Sequence, residues 1–159
     1  MKSLFTICNS CKITLEDEKG NLRTYEFPNI TCTAWRIEIA RRLIEPLVAD
    51  IGVAKFIAIG DSATAPTEAD VALWNEIRRA ELLYDLSSRT NNVTKVYARF
   101  YRWYTLSAYE AGLFIWPNAT VTNGSGSLLC HSLFPVPIDK LAQEIMTVER
   151  AISIENYII

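Results

Sequence analysis

Two thiols three positions apart, Cys8 and Cys11, are the first residues of this chain whose types and spacing suggest chemistry. Cys32 and Cys130 stand apart from them, and Cys130 precedes His131, the only histidine among 159 residues. A structural zinc ion asks for four ligands in a tetrahedron, commonly supplied as two close pairs. Here only Cys8 and Cys11 make such a pair. Cys130 and His131 are adjacent, so in an extended segment they point to opposite faces. A redox role needs the Cys-x-x-Cys at a helix N-terminus, where the dipole stabilises a thiolate. The following Lys12-Ile13-Thr14-Leu15 instead alternates as a strand does. The expectation is a hairpin turn at Asn9-Ser10, flanked by reduced, half-buried cysteines, with no metal and no cofactor.

The carboxylates Asp61, Glu68 and Asp70 lie close enough in sequence to suggest a glycosidase pair or a calcium site. Thr67-Glu68-Ala69-Asp70 also has the form of a capping box, in which the acidic residues favour a helix N-terminus. That reading predicts a short helical turn over 68–74. His131, in an apolar run, reads as a structural histidine with its hydrogen bonds satisfied. No nucleophile elbow is present, since Asn123-Gly124-Ser125-Gly126 is a turn sequence. Gly60 is isolated and no phosphate loop follows it. No catalytic residue is nominated, and the expectation is a protein that is not an enzyme.

Composition narrows the partners. The formal net charge is −2 and no block of Lys and Arg occurs, which argues against nucleic acid. MKSLFTICNSCK lacks a signal-like apolar segment, and no apolar run reaches membrane-spanning length, so folding in cytoplasm away from a membrane is expected. Half the residues are apolar, enough at this length for one core. Four Trp, seven Tyr and six Phe must fill that core or cover an interface.

The elements that would position these residues read mainly as strands. Residues 3–27 are β, with a charged turn at Glu16–Asn21. Thr33–Leu47 is the one amphipathic helix: Ile37, Ala40, Ile44 and Leu47 share a face, Glu38–Arg42 and Arg41–Glu45 pair outside, and Arg36 lies on the solvated side. Strands follow at Val53–Ile59, Ile77–Leu86, Val93–Tyr104, Gly112–Trp116, Leu128–Phe134 and Ile145–Ile154, with Pro135 and Pro137 as breakers. In Val93–Tyr104 both faces carry rings. Tyr97, Arg99, Tyr101 and Trp103 on one face have the composition of a subunit interface. Arg150 interrupts the apolar face of the last strand, so it needs a carboxylate partner or an interface. The expected fold is one β-rich domain over 1–159, a β-sandwich or jelly-roll-like, with residues 1–28 as an N-terminal hairpin region and 29–159 as the core.

One further pattern joins distant segments. Asn29–Arg36 leads into the helix, and Ile57-Ala58-Ile59-Gly60 is a strand closed by glycine. Thr64-Ala65-Pro66, Asp70, Leu73, Glu76 and Arg79 follow in order. Glu110-Ala111-Gly112-Leu113-Phe114 and Met146-Thr147-Val148 come later. In order and spacing, over residues 29–154, these segments resemble a family of small structural proteins of tailed bacteriophages, usually labelled tail-fibre or virion proteins. Asp61-Ser62 stands where the family pattern often has Gly-Thr, and the Cys8–Cys11 segment is not part of it. The resemblance implies a non-catalytic, multi-copy virion component of a tail-fibre, baseplate or neck assembly. It would be assembled in the bacterial cytoplasm and would bind copies of itself and other virion proteins. Capsid decoration (a cement protein) is the alternative. A receptor- or glycan-binding module using Trp103, Tyr104, Trp116 or the 118–127 loop is a third. Gly60, Pro66, Asp70, Glu76, Arg79, Glu110 and Gly112 are then residues that define the fold. Glu76 or Glu110 would pair with Arg79 to hold the loop to the sheet.

Overall fold

The fold is seen in a computed structural model that describes residues 3–33, 36–37, 54–115 and 119–158. It is mainly β. Among the described residues, ten strands form two antiparallel five-stranded sheets. The first sheet has the order β2-β1-β10-β7-β6, from β1 (Ser3–Glu16), β2 (Leu22–Pro28), β6 (Ser88–Thr90), β7 (Val93–Phe100) and β10 (Ile145–Ile158). The second has the order β3-β9-β8-β4-β5, from β3 (Ile30–Thr31), β4 (Ala54–Gly60), β5 (Glu76–Glu81), β8 (Leu106–Ile115) and β9 (Ser127–Lys140).

Alternation decides which side of each strand is buried. Ile13 and Leu15 of β1, Ala98 and Phe100 of β7, and Met146 and Val148 of β10 face the same core as Ile57 and Ile59 of β4 and Ala111 and Leu113 of β8. Each large aliphatic side chain fully buried there contributes about 1.5–3 kcal/mol before chain entropy is charged against it. The second sheet is covered on its other face as well. Phe56, Ala58, Phe114 and Leu128 form a smaller cluster there with Cys32, Leu73 and Ala119, which come from the flanking loops. That second cluster explains why β4 and β8 read as nearly continuous apolar runs.

Several expectations are corrected. Asn9-Ser10 is not a turn: β1 runs through it, paired residue by residue with β10 from Ser3↔Ile158 to Glu16↔Ile145. An equally long partner strand keeps the backbone extended, and the hairpin to β2 turns at Asp17–Asn21 instead, where the Asp17 carboxylate accepts from Lys19 and Asn21. No helical turn forms over 68–74, a segment of turns and bends. β9 continues past Pro135 and Pro137, because both fall in a bulge between the pairs Glu110↔Leu133 and Ala108↔Ile138, where no ladder bond to β8 is required of them. The expected helix over 33–47 falls mostly outside the described residues. Ile37, expected on its inner face, is exposed, and Arg36 pairs with Glu68 through both terminal guanidinium nitrogens.

Candidate functional site

The groups able to do chemistry meet on the outer face of the second sheet. Glu110 and Gly112 of β8 point to that face, as do Gly60 of β4, opposite Glu110, and His131 of β9, opposite Gly112. The loop 61–75 lies over them. His131 Nδ1 is 2.7 Å from Asp70 Oδ2, and its Nε2 is 2.7 Å from Glu110 Oε2. The imidazole and Glu110 are fully buried, and the Asp70 carboxylate nearly so. Glu110 also accepts the backbone N–H of Trp74 at 3.1 Å and of Asn75 at 2.9 Å. Asp70 accepts the N–H and hydroxyl of Thr67, at 2.9 and 2.7 Å. The capping-box sequence is thus used, but its carboxylate turns inward to the histidine instead of starting a helix.

Burial raises the Glu110 carboxyl pKa, but the hydrogen bonds from His131, Asn75 and Trp74 outweigh it and hold the group below the ordinary carboxylate range. For Asp70, burial is likewise outweighed by Thr67 and His131. Each ring nitrogen of His131 faces a carboxylate oxygen, so the ring is held from both sides. The constellation is an ion triad closed on itself. Both ring nitrogens are engaged, and the contacts tie the 61–75 loop to β8 and β9.

Packing reinforces the closure. A side chain on Gly60 would occupy the space of the Glu110 carboxylate, and one on Gly112 would meet Leu128 and Leu73. Leu73 is buried as the apolar anchor of the loop. Pro66 is half-buried within the same loop.

A second ion cluster sits beside the first. Of the two proposed partners of Arg79, Glu76 is the one found: a two-pronged pair at 2.6 and 2.7 Å, with both side chains buried. The remaining guanidinium nitrogen donates to the carbonyls of Thr120 and Ser125 and to the Ser125 hydroxyl, while Glu76 accepts from Gly124 N–H. Arg79 also lies over Phe114, 4.7 Å from the ring centre. Together these contacts tie the 119–126 loop to β5. Gly126 closes that loop at φ +85°, where a side chain would be strained and would strike Ala119.

The remaining nominated residues separate. Asp61 pairs with Asn75, Glu68 with Arg36 and Asp70 with His131, so the three carboxylates share no cation site. Among the described residues no group of three or more His, Cys, Asp and Glu is placed to hold a metal. Cys11, Cys32 and Cys130 are buried free thiols; the side chain of Cys8 and the residue Trp116 lie outside those described. Burial raises the Cys11 pKa and lifts that of Cys32 to about 12. Tyr97 and Arg99 are partly exposed, Tyr101 is 54% exposed and Trp103 90%.

Arg150 is corrected on both counts. It is fully buried between the sheets and so cannot reach a subunit interface. Among the described residues its partner is a hydroxyl, Ser132 Oγ at 2.6 Å, not a carboxylate. Its Nε and second terminal nitrogen have no partner.

Sequence reasoning left His131 without partners, because the order of residues 70, 110 and 131 carries no signal that a loop folds back over two strands. Comparison with family models, with curated proteins and with solved structures gave no match.

Proposed function

We propose that this chain is a non-catalytic structural protein of a tailed-bacteriophage particle, a multi-copy part of the tail-fibre, baseplate or neck assembly. The observation that carries an assembly role is Trp103. Its indole is 90% exposed, and its backbone sits at φ +89°, a conformation that non-glycine residues rarely adopt. Holding a large ring out in water on a strained backbone costs free energy, and such strain collects where a residue contacts a partner. Tyr101 and Tyr97 lie close by in sequence, and Tyr, Trp and Arg are the types enriched at interfaces. The closed Asp70–His131–Glu110 triad supports the non-catalytic part, since its titratable groups are spent on one another. The assignment to a phage particle, with other virion proteins as partners, rests on the sequence resemblance.

We read the fold as a β-sandwich of jelly-roll kinship. β1 pairs with β10, β3 with β9 and β4 with β8, a nested pairing that a folded-over long hairpin produces.

The test is electron cryo-microscopy of purified particles that carry the chain. A ring of copies at the neck, baseplate or fibre base is expected. Hundreds of copies across the shell would replace the tail reading with the cement reading, and absence from the particle would overturn both.

A further inference from the structure

The chain just after β5 is tied to β7 by the bridge Leu82↔Ala98 and by the Leu83 N–H donating to the Tyr97 carbonyl. A groove of about 380 Å³ opens between β5 and the end of β7, lined by Arg78, Leu83, Arg99, Phe100, Tyr101 and Tyr104 among others. Its charge is unbalanced. Among the described residues, no carboxylate lies within ion-pair distance of Arg78 or Arg99. The Nε of Arg99 is shut off from solvent without an acceptor, and so is that of Arg102 in the next loop. Arg78 lies over the Tyr104 ring at 4.0 Å, and the Lys140 ammonium is 4.4 Å from the same ring centre. Lys140 is nearly fully buried and held by the carbonyls of Tyr104 and Leu141. Burial lowers its pKa; Glu144 opposes that and Arg78 adds to it. Two acidic groups lie near. Glu81 lines the groove, and Glu144 is already held by Arg23 and Leu141 N–H.

We propose that this groove is a binding site for a small soluble oxyanion, a carboxylate or a phosphate, gripped by Arg78 and Arg99. A guanidinium presents paired N–H donors that match both groups; Arg78 is exposed and Arg99 half-buried, so the Arg99 fork is the better desolvated of the two. The aromatic and aliphatic walls, Tyr101, Phe100 and Leu83, suit a compact body attached to the anion. The groove is complete in one chain, so the proposal is made for the isolated chain; Arg99 and Tyr101 are shared with the face offered above as an interface.

The experiment is an NMR amide titration of the full chain at low salt with glucuronate, with inorganic phosphate and with glucose. Saturable shifts confined to residues 78–83 and 99–104 are expected with at least one oxyanion and not with glucose. Preference for glucuronate would identify a sugar acid as the source, and preference for phosphate a phosphate ester. Arg78→Gln and Arg99→Gln should each weaken binding about tenfold, the loss of ~1.4 kcal/mol of contact. Arg99→Lys should fall between, and Arg89→Gln, at an exposed arginine on β6, should bind as the parent does. Absence of saturable binding of both oxyanions overturns the proposal, as does undiminished binding in folded Arg78→Gln and Arg99→Gln proteins.

Discussion

Glu110 shows what one buried carboxylate can do when both of its oxygens are engaged. It receives a histidine and two backbone amides, and it sits where only a glycine can oppose it. Glu110→Gln removes the charge while keeping the shape, leaving the buried hydrogen bonds from His131, Trp74 and Asn75 without a carboxylate. Breaking a buried pair in this way costs about 3–5 kcal/mol, to be read as a drop in the urea midpoint at unchanged slope. The same site sets an acid limit. Asp70 and Glu110 both have folded pKa values below their unfolded ones. Their contribution is therefore full above the ordinary carboxylate range and is lost as pH falls through the lowered folded values. Stability measured from pH 7 downward should fall more steeply for the parent than for Asp70→Asn, which has already lost part of the contribution; parallel curves would show that the triad is not the acid-sensitive element. Arg150 runs the other way. It is buried with two nitrogens unpaired, so Arg150→Met exchanges an under-satisfied charge for apolar contact. We expect it to be neutral or more stable by about 1 kcal/mol or more, checked by thermal unfolding.

At the scale of the element, the loop 61–75 is a strap, and Leu73 is its apolar pin. Leu73→Ala should cost about 2–5 kcal/mol as a buried truncation, and hydrogen exchange should quicken first at Trp74 and Asn75, whose amides the strap holds on Glu110. Uniform quickening across both sheets would mean that the strap unfolds only with the whole. Much of this level was legible in the residues. The alternation in Ile13–Leu15 and Met146–Val148 marked the buried faces, and the charged turn at Asp17–Asn21 marked the reversal into β2; Val93–Tyr104 carries rings on both faces, so its buried side was not legible. What could not be read has a physical cause in each case. Asn9-Ser10 has turn composition, but pairing with β10 overrides it. Thr67–Asp70 has capping composition, but the Asp70 carboxylate gains more from a buried imidazole than from a helix start. Pro135 and Pro137 normally end a strand, yet a bulge spares them. The glycines and acids were visible as unusual; their meeting with His131 depends on strand order, which local pattern does not encode.

For the whole molecule, the ion clusters are closed inside and the surface leaves large rings open to solvent. Trp103 adds almost nothing to the core, yet its backbone is pinned, its N–H donating to the Ala142 carbonyl at 2.7 Å. A residue kept strained and exposed is stable only at some cost, and the cost is recovered only if a partner covers the ring. The two roles can be separated with one substitution. Trp103→Gly removes the indole and relieves the positive φ, so the isolated chain should be as stable as the parent or gain up to about 1 kcal/mol. If the ring is an interface anchor, the same change should weaken self-association or particle incorporation by about 2 kcal/mol or more. Sedimentation over a range of concentrations measures the first, and competition between parent and variant for incorporation measures the second. A variant that gains stability and still assembles equally well would remove Trp103 from the interface and leave the tyrosine face of β7 to carry it.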